Sequence, residues 1–356
     1  MSAGEQTILV TGGAGFVGSN LADRLATGGR RVRVYDSLNR PGVEANLDWL
    51  TSRHGDLIEP VIADIRDADR MMQAARGVDA AFHFAAQVAV TTSMADPRAD
   101  LDINILGTFN LLEAVRAHAA HAPVIFASTN KVYGDLADFP MRPSPHGYHP
   151  HHPEVLVTGI GEDRPLDFHT PYGVSKGAAD QYVLDYARSY GLRTAVLRMS
   201  CIYGQRQMGT EDQGWVAHFL IRAMRGETIT LFGDGYQVRD ICDVRDTVDA
   251  YLAALDRIDA ISGRAFNWGG GADNAVSLLT VIDEIGQVIG NPPKVEFSEW
   301  RPGDQRWYVS DTTGIDKALQ LSPRRDWRAG LRDLAAWLET QHAPVQAAPA
   351  MQAIAL

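Results

Sequence analysis

The junction between the first apolar run and the glycine-rich segment after it most constrains how this chain can fold. Residues 7–10 (Thr-Ile-Leu-Val) are typical of a buried strand, the segment 11–18 carries four glycines, and a helical pattern follows. This order predicts a binding site for a phosphate anion, because the N-terminus of such a helix presents free N–H groups. Gly12 permits the tight turn, Gly15 keeps the path of the phosphates clear, and Gly18 lets the helix pack against the strand.

A second strand-like run, residues 31–35 (Arg-Val-Arg-Val-Tyr), ends in Asp36. A carboxylate at this position accepts hydrogen bonds from an adenosine ribose and repels a 2′-phosphate, which favours NAD over NADP as the cofactor. Arg40 lies close enough in the sequence to keep NADP as an alternative. The glycine spacing is Gly-x-x-Gly-x-x-Gly, and ordinary turns before helices also contain such glycines. The preceding strand and the carboxylate after the second strand therefore carry the prediction of dinucleotide binding.

Four more apolar runs follow along the chain, with helical segments between them. They are almost continuously apolar, as is typical of parallel strands that helices cover on both faces. The runs are 60–63, 80–84, 124–127 and 194–197. We therefore predict the α/β class, with a Rossmann-type doubly wound parallel sheet and a smaller C-terminal substrate-binding lobe. Polar or small residues end each run, so ligands should bind in the crevice outside the carboxyl ends of the strands.

Changes in pattern divide the chain into a dinucleotide-binding domain, a second lobe and a tail. The first covers residues 1–204 and includes an insert at 136–165, rich in Pro, Gly and His, which we interpret as a solvated loop or lid. Residues 205–342 mix helices with short strands and should form mainly the substrate-binding lobe. The Ala- and Pro-rich segment 343–356 predicts a disordered tail.

Composition limits the classes of partner. The net charge is −11 with no basic tract, which argues against nucleic acid or an anionic membrane surface. No apolar stretch approaches the roughly 20 residues that span a bilayer, and the polar start at residues 1–6 does not resemble a signal peptide. The two cysteines, Cys201 and Cys242, lack metal-type spacing and fit a reducing cytoplasm. The histidines of the insert have no second ligand cluster, so we expect no metal.

A tyrosine and a lysine four residues apart are the candidate catalytic pair. Tyr172 and Lys176 begin an amphipathic helix that runs to about residue 189, so they share one face. A neighbouring ammonium and an oxidised nicotinamide both favour the phenolate, which can then remove a proton from a hydroxyl. Such a pair alone is also common on protein surfaces. Thr129, at the end of the fifth strand, adds a hydroxyl that can hydrogen-bond a substrate oxygen, and the three together favour catalysis.

Four motifs resemble one family. They are Val10–Gly18 (VTGGAGFVG), Ser128–Gly134 (STNKVYG), Pro171–Lys176 (PYGVSK) and Gln237–Asp240 (QVRD). From residue 8 to about residue 337 the chain resembles an extended short-chain dehydrogenase/reductase of the nucleotide-sugar epimerase/dehydratase family. Within the family, several longer stretches are similar to 2-epimerases that act on CDP-sugars. Those stretches are 36–50, 87–93, 166–172, 176–182 and 212–216.

The resemblance implies a role for individual residues, carried over by position. Thr129, Tyr172 and Lys176 are expected to be catalytic. The residues expected to bind NAD are Gly12, Gly15, Phe16, Val17, Gly18, Asp36, Asn39, Asp64, Ile65, Ala85, Ala86, Gln87, Asn104, Tyr172 and Lys176. The residues expected to bind a nucleotide-diphosphate sugar are Thr92, Ser93, Thr129, Asn130, Gln207, Gln213, Arg239 and Arg301. Asp64 would lie near the adenine.

Arg239 and Arg301 match the arginines that bind the diphosphate in this family. They would explain how an acidic protein holds an anionic ligand, because guanidinium groups pair well with phosphate. An ordinary surface salt bridge remains the alternative for either arginine.

Two departures from the family pattern bear on the reaction. In the 4,6-dehydratases of the family an Asp-Glu pair follows the threonine and supplies acid and base, whereas here the same places hold Asn130 and Lys131. Dehydration is therefore disfavoured. Many members have asparagine where this chain has Cys201, so some substrate contacts should differ.

The resemblance implies an NAD-dependent epimerase that acts at C2 of a nucleotide-diphosphate sugar, by transient oxidation to a keto sugar and reduction on the other face. No residue spacing distinguishes C2 from C4, so a UDP-sugar 4-epimerase stays open. A 4,6-dehydratase and a non-enzymatic NAD(H) sensor are less favoured. The helices at 100–118 and 172–189 match those through which family members form homodimers, although burial in the core would also explain their apolar residues.

Overall fold

The computed structural model describes residues 6–342, and the predicted tail at 343–356 lies outside them. Within this range the strands are β1 (Thr7–Thr11), β2 (Arg31–Asp36), β3 (Ile58–Ile62), β4 (Ala80–His83), β5 (Val124–Thr129), β6 (Met141–Ser144), β7 (Gly147–Pro150), β8 (Thr194–Met199), β9 (Cys201–Tyr203), β10 (Ile229–Phe232), β11 (Val238–Asp243), β12 (Arg264–Trp268), β13 (Ala275–Ser277), β14 (Val295–Ser298) and β15 (Trp307–Tyr308).

The α-helices of the same residues are α1 (Phe16–Thr27), α2 (Val43–His54), α3 (Ala68–Ala74), α4 (Val90–Ala95), α5 (Pro97–Leu101), α6 (Gly107–His118), α7 (Pro153–Thr158), α8 (Thr170–Tyr190), α9 (Trp215–Met224), α10 (Val244–Asp256), α11 (Ile258–Ile261), α12 (Leu278–Ile289), α13 (Thr313–Leu319) and α14 (Trp327–His342). A π-helical turn, Asp102–Leu106, joins α5 to α6. No helix in the described part of the chain is long and apolar enough to cross a bilayer.

The main sheet has seven strands in the order β12-β8-β5-β4-β1-β2-β3, and all of its pairs are parallel. The predicted α/β class and doubly wound parallel sheet are confirmed. Strand order reverses between β1 and β4, which is where the ligand crevice of such a sheet opens. Successive side chains of a strand face opposite layers. Accordingly, Ile8 and Val10 join the cluster under α1 and α10, whereas Leu9 joins the cluster under α3, α6 and α8.

The C-terminal part of the chain contributes to both lobes. Strand β12 pairs with β8 at the edge of the main sheet, and Val248 and Tyr251 of α10 lie in the same hydrophobic cluster as Leu21 of α1. The remaining strands form a small sheet of β9, β11, β13 and β15 and a separate β10–β14 pair. Helices α9, α12 and α14 pack with β10 and β11 in a third cluster that includes Leu220 and Leu331.

The insert at 136–165, interpreted from the sequence as a loop or lid, contains a hairpin and a helix. Strands β6 and β7 pair antiparallel, and α7 follows them. The hairpin contacts the second lobe, where Tyr148 N donates to Tyr236 O at 2.9 Å and the Tyr148 hydroxyl donates to Asp234 Oδ2 at 2.5 Å. Met141 and Tyr148 pack against a hydrophobic cluster that includes Trp307. The insert therefore supports the wall of the second lobe.

Candidate active site

The glycine turn between β1 and α1 has the shape that a pyrophosphate requires. Gly12 has a φ of +67°, and its N–H donates to Tyr35 O at 2.8 Å, which closes the turn against β2. A Cβ at Gly12 would lie 2.6 Å from Ala85 N, and a Cβ at Gly18 would lie 2.2 Å from Gly12 O. Gly15 is the N-cap of α1, and no side chain caps the helix there. The first N–H groups of α1, on Phe16 and Val17, are thus placed for an anion.

Asp36 is fixed beside the glycine turn at the end of β2. Its Oδ2 accepts from Ala14 N at 3.0 Å and its Oδ1 from Leu38 N at 2.9 Å. Burial raises the pKa of this carboxyl, and the backbone hydrogen bonds oppose that rise. Arg40 donates to Met208 O at 3.2 Å, and the Asn39 side chain is exposed. The carboxylate is therefore held where a ribose bound along the turn would meet it.

The loop after β4 is held by one buried amide. Asn104 Oδ1 accepts from Gln87 N at 2.9 Å, and its Nδ2 donates to Gln87 O at 3.0 Å and to Ser175 Oγ at 2.9 Å. The predicted cofactor residue Asn104 thus bonds protein groups and connects the Ala85–Gln87 loop to α8. Its place in the site is to position the loop and the helix that carries the tyrosine.

On the adenine side of the predicted cofactor site, Asp64 and Ile65 follow β3. The carboxylate of Asp64 pairs with both Arg66 Nε at 2.9 Å and Arg66 Nη2 at 2.7 Å. The Arg66 guanidinium lowers the pKa of Asp64. Ile65 is buried, and a Cβ at Gly107 would lie 2.7 Å from its Cγ2, so Ile65 packs directly on the helix behind the crevice.

The three predicted catalytic side chains converge at the carboxyl end of β5. Tyr172 is 8% exposed, and burial raises its pKa to about 12, although a hydrogen bond with the Thr129 hydroxyl lowers it. Lys176 is 3% exposed; its Nζ donates to Ala127 O at 2.7 Å and lies 4.0 Å from the centre of the Phe126 ring. Burial lowers the pKa of Lys176 to about 7. The two shifts have one cause, because a site shielded from water disfavours both charged forms.

Four of the predicted substrate residues lie in two segments, α4 and the loop before α9. Ser93 is buried and its Oγ accepts from Tyr172 N at 3.2 Å, while Thr92 beside it is exposed. Gln207 is buried and donates to Ile202 O at 3.2 Å; Gln213 forms a bridge with Thr210 in the loop before α9. Ser93 therefore anchors the start of α8, and the two glutamines lie on a loop at the second lobe.

Both predicted diphosphate arginines are paired with carboxylates. Arg239 Nη2 donates to Asp304 Oδ1 at 2.6 Å. Arg301 Nη2 lies 3.0 Å from Glu211 Oε1 and 3.4 Å from Asp212 Oδ1. A turn in which Asp304 N donates to Arg301 O at 3.2 Å connects the two pairs. The arginines thus belong to one charged cluster on the second lobe. Because the Arg239 side chain is only 8% exposed, its pair with Asp304 is not a surface salt bridge.

A buried ion pair behind β5 is a feature that sequence reasoning missed. Asp180 accepts from Arg198 Nε at 2.9 Å, from Arg198 Nη2 at 3.0 Å and from Ser128 Oγ at 2.8 Å. Arg198 also donates to the Tyr133 hydroxyl at 3.0 Å. The available signal was an arginine inside an otherwise apolar strand, β8. The pair fixes α8 against the residue before Thr129, and so sets the relative position of the candidate catalytic side chains.

Also unforeseen was the contact between the turn after β5 and the loop after Arg301. Asn130 Nδ2 donates to Gln305 Oε1 at 2.9 Å, and Lys131 Nζ donates to Gly303 O at 3.0 Å.

Cys201 Sγ accepts from Trp215 Nε1 at 3.3 Å, and burial raises the pKa of the Cys201 thiol. Across residues 6–342, no group of three or more His, Cys, Asp or Glu side chains is arranged to hold a metal ion.

The parallel sheet, the glycine turn with its terminal aspartate, and the buried Tyr-x-x-x-Lys pair define an extended short-chain dehydrogenase/reductase. Comparisons with known proteins place the chain more narrowly. The family model described as the NAD dependent epimerase/dehydratase family matches residues 8–269. The chain belongs to this family: it is an enzyme of nucleotide-sugar metabolism with NAD as its cofactor.

Two relatives and one solved structure illustrate the similarity. CDP-paratose 2-epimerase of Salmonella typhi is 40% identical over 340 residues, covering 93% of this chain and 98% of that protein. A putative UDP-glucose 4-epimerase of Methanocaldococcus jannaschii is 32% identical, covering 94% and 99%. The UDP-glucose 4-epimerase of Thermus thermophilus, solved in complex with NAD, superposes with a TM-score of 0.79 at 29% identity, covering 94% and 99%.

Proposed function

We propose that this enzyme epimerises a nucleotide-diphosphate sugar at C2, on a CDP-sugar of the CDP-paratose/CDP-tyvelose type. The observation that carries the chemistry is the buried cluster of Thr129, Tyr172 and Lys176 at the mouth of the cofactor crevice. The position on the sugar is supported by the 40% identity with the Salmonella typhi protein over nearly the whole length of both chains.

The proposed chemistry uses each of the three side chains at a stated atom. NAD, when bound, supplies a reversible acceptor for the hydrogen and electron pair of the sugar carbon. The Tyr172 oxygen takes the proton of the sugar hydroxyl, and the Thr129 hydroxyl donates a hydrogen bond to the same oxygen atom of the sugar. The Lys176 ammonium stabilises the phenolate across the shared helix face. After the keto sugar has turned, its carbon would regain the hydrogen and electron pair on the opposite face, and its oxygen would regain the proton from Tyr172, so no net oxidation occurs.

The pair after Thr129 favours epimerisation over dehydration. Asn130 and Lys131 carry no carboxylate, and their side chains bond Gln305 and Gly303. Removal of water from a keto sugar needs a placed acid and base. The turn after β5 supplies neither at these two positions, so the keto sugar would persist until it is reduced again.

Firm binding of the nucleotide diphosphate is needed because the sugar must turn without leaving. Arg239 and Arg301 are the proposed holders of the diphosphate, and Asp304 joins them into one cluster. Interactions with the part of the substrate that does not react retain the intermediate while the reacting part moves.

Deuterium transfer tests the position of reaction. CDP-, UDP- and GDP-sugars carrying deuterium at C2 or at C4 would be incubated with the NAD-loaded enzyme, and the products examined by mass spectrometry and NMR. Inversion at C2 of a CDP-sugar, without release of its C2 deuterium to solvent, is the expected result. Inversion at C4 would instead establish the second candidate, a UDP-sugar 4-epimerase, which the relatives named as 4-epimerases favour.

A tyrosine variant separates an enzyme from an NAD(H) sensor. Tyr172→Phe removes only the phenolic oxygen, and we expect turnover to fall at least a thousandfold while NAD is retained, a loss in the range of general acid–base catalysis. Tyr190→Phe at the end of the same helix is the matched control, because Tyr190 is 56% exposed and is not part of the proposed site. Equal turnover of both variants would contradict the assignment of Tyr172.

A homodimer is part of the proposal. Leu106 and Phe109, near the middle of the 97–118 helical segment, are 44% and 40% exposed, and Val174 and Tyr182 of α8 are 47% and 45% exposed. Apolar side chains at this exposure on two helices favour a helix-on-helix contact between copies. Sedimentation should give a dimer that Leu106→Glu dissociates, and a monomeric unmodified enzyme would contradict this.

Two free cysteines are compatible with the predicted cytoplasmic location.

A further inference from the structure

Lys131 connects the turn after β5 to the charged cluster that contains Arg239 and Asp304. It is the second residue after Thr129, and its backbone N donates to Thr129 Oγ1 at 3.2 Å. Its side chain leaves the turn, donates to Gly303 O at 3.0 Å and places Nζ 3.8 Å from Asp304 Oδ1. The Lys131 side chain is only 21% exposed, so solvent screens this contact incompletely.

One carboxylate oxygen is shared by two cations. Asp304 Oδ1 is 2.6 Å from Arg239 Nη2 and 3.8 Å from Lys131 Nζ. The two cations lower the pKa of Asp304 against the opposing effect of its burial, so this carboxyl is ionised. Burial lowers the pKa of Lys131, and the Asp304 carboxylate opposes that fall. With both cations protonated, the group of three carries a net charge of +1. Without the lysine, Asp304 would cancel the charge of Arg239 and leave a neutral pair.

A neutral pair would bind a diphosphate poorly in this protein. The chain has a net charge of −11, so attraction of an anion must come from local cations. Arg239 is nearly buried at 8% side-chain exposure, and a buried guanidinium already satisfied by one carboxylate has little attraction left for a second anion.

We propose that Lys131 is a positioning residue that offsets the charge of Asp304, and so leaves Arg239 with a positive charge for the diphosphate of the substrate. Asn130 assists from the same turn, because its bond to Gln305 fixes the other end of the 303–305 segment. The two positions that hold an acid and a base in the dehydratase pattern would thus serve substrate binding in this enzyme. The inference rests on the proposed function, since it assumes a nucleotide-diphosphate ligand.

The test compares single and paired variants in the NAD-loaded, full-length enzyme. Dissociation constants of CDP and UDP would be measured by titration calorimetry for the unmodified chain, Lys131→Met, Lys131→Arg and the double variant Lys131→Met/Asp304→Asn. We expect Lys131→Met to weaken binding of the preferred diphosphate about tenfold, because Asp304 then neutralises Arg239 and weakens its charge-assisted bond to the diphosphate. Lys131→Arg keeps the charge and should stay within about threefold. The double variant should also recover to within about threefold, because Arg239 then has no carboxylate partner.

Recovery in the double variant is the result that a merely structural role would not produce. NAD content and thermal unfolding of each variant would verify that the fold is intact. With a nucleotide sugar, Lys131→Met should raise KM with little change in kcat, the pattern of lost uniform binding. Unchanged affinity in Lys131→Met, or a double variant no better than Lys131→Met, would overturn the proposed role. An unmodified enzyme that binds neither CDP nor UDP would refute the proposed function and, with it, this inference.

Discussion

Replacement of Thr129 by valine tests the hydroxyl at the centre of the proposed reaction. Thr129 is 7% exposed at the end of β5; its hydroxyl lowers the pKa of the Tyr172 phenol and accepts a hydrogen bond from Lys131 N at 3.2 Å. Valine has nearly the same shape and lacks the hydroxyl. The substitution therefore removes the hydrogen bonds with little change in packing.

The expected loss follows from the kind of bond removed. In the proposed reaction the Thr129 hydroxyl bonds an oxygen that carries developing negative charge, and hydrogen bonds to charged groups contribute about 1.5–3 kcal/mol. That range corresponds to a fall in kcat of roughly 10- to 150-fold. The lost bond to Lys131 N should lower the free energy of unfolding by about 1 kcal/mol.

The pH profile gives an independent readout with a defined sign. The Thr129 hydrogen bond lowers the pKa of Tyr172, so its removal raises that pKa. In the proposed reaction, activity depends on the Tyr172 phenolate, which is populated as the pH rises. The rising limb of kcat against pH should therefore move to higher pH in Thr129→Val, measured by initial rates at saturating substrate from pH 6 to about pH 10.

Thr129→Ser is the matched control because it keeps the hydroxyl and loses only a methyl group. We expect it to retain kcat within about threefold and to leave the pH profile unchanged. If valine and serine lose activity equally, the methyl group and not the hydroxyl is what matters. If Thr129→Val keeps more than half of the kcat of the unmodified enzyme, the proposed role of the Thr129 hydroxyl is refuted.

Three further predictions concern cofactor binding and stability. Gly18→Ala should abolish retention of NAD, because the new Cβ would lie 2.2 Å from a backbone oxygen of the glycine turn. Gly28→Ala, at the other end of α1, is the control: its Cβ would have its nearest atom at 3.4 Å, so this variant should retain NAD. The absorbance spectrum of each purified variant measures the bound cofactor. Burial lowers the pKa of His83 from 6.5 to about 3, so the unfolded chain takes up this proton first and stability falls below pH 6.5. At pH 5 the free energy of unfolding should be about 2 kcal/mol lower than at pH 7 because of this group. In urea titrations, His83→Gln should therefore lose less of its free energy of unfolding between pH 7 and pH 5 than the unmodified chain does. An equal loss in both proteins would contradict this. Asp180→Asn leaves the buried Arg198 without its partner and should lower the free energy of unfolding by about 3 kcal/mol, whereas an unchanged melting temperature would show the pair to be unimportant.

Local patterns in the sequence were sufficient for the main architecture. The apolar runs at 7–10, 124–127 and 194–197 correspond to β1, β5 and β8, because strands buried on both faces have a distinctive composition. The i, i+4 spacing of Tyr172 and Lys176 likewise placed both on one face of α8, where the structure has them.

Strand β12 shows where such patterns end. The segment Arg264–Trp268 is short, begins with an exposed arginine and contains Asn267, so it lacks the continuous apolar run of the other strands. It becomes a strand of the main sheet because β8 offers an unpaired edge, and because Glu162 of the insert accepts from Asn267 N at 2.7 Å. Neither partner is near it in sequence.

The sequence by itself determined the kind of enzyme this chain forms, since the glycine turn and the Tyr-x-x-x-Lys pair are each defined by residues only a few positions apart. Only the tertiary structure decided how the charges are matched. Asp304 meets Arg239 and Lys131 across 65 and 173 positions of chain. Local spacing describes one strand or helix, whereas the balance of buried charge depends on which distant elements the packing of the core brings together.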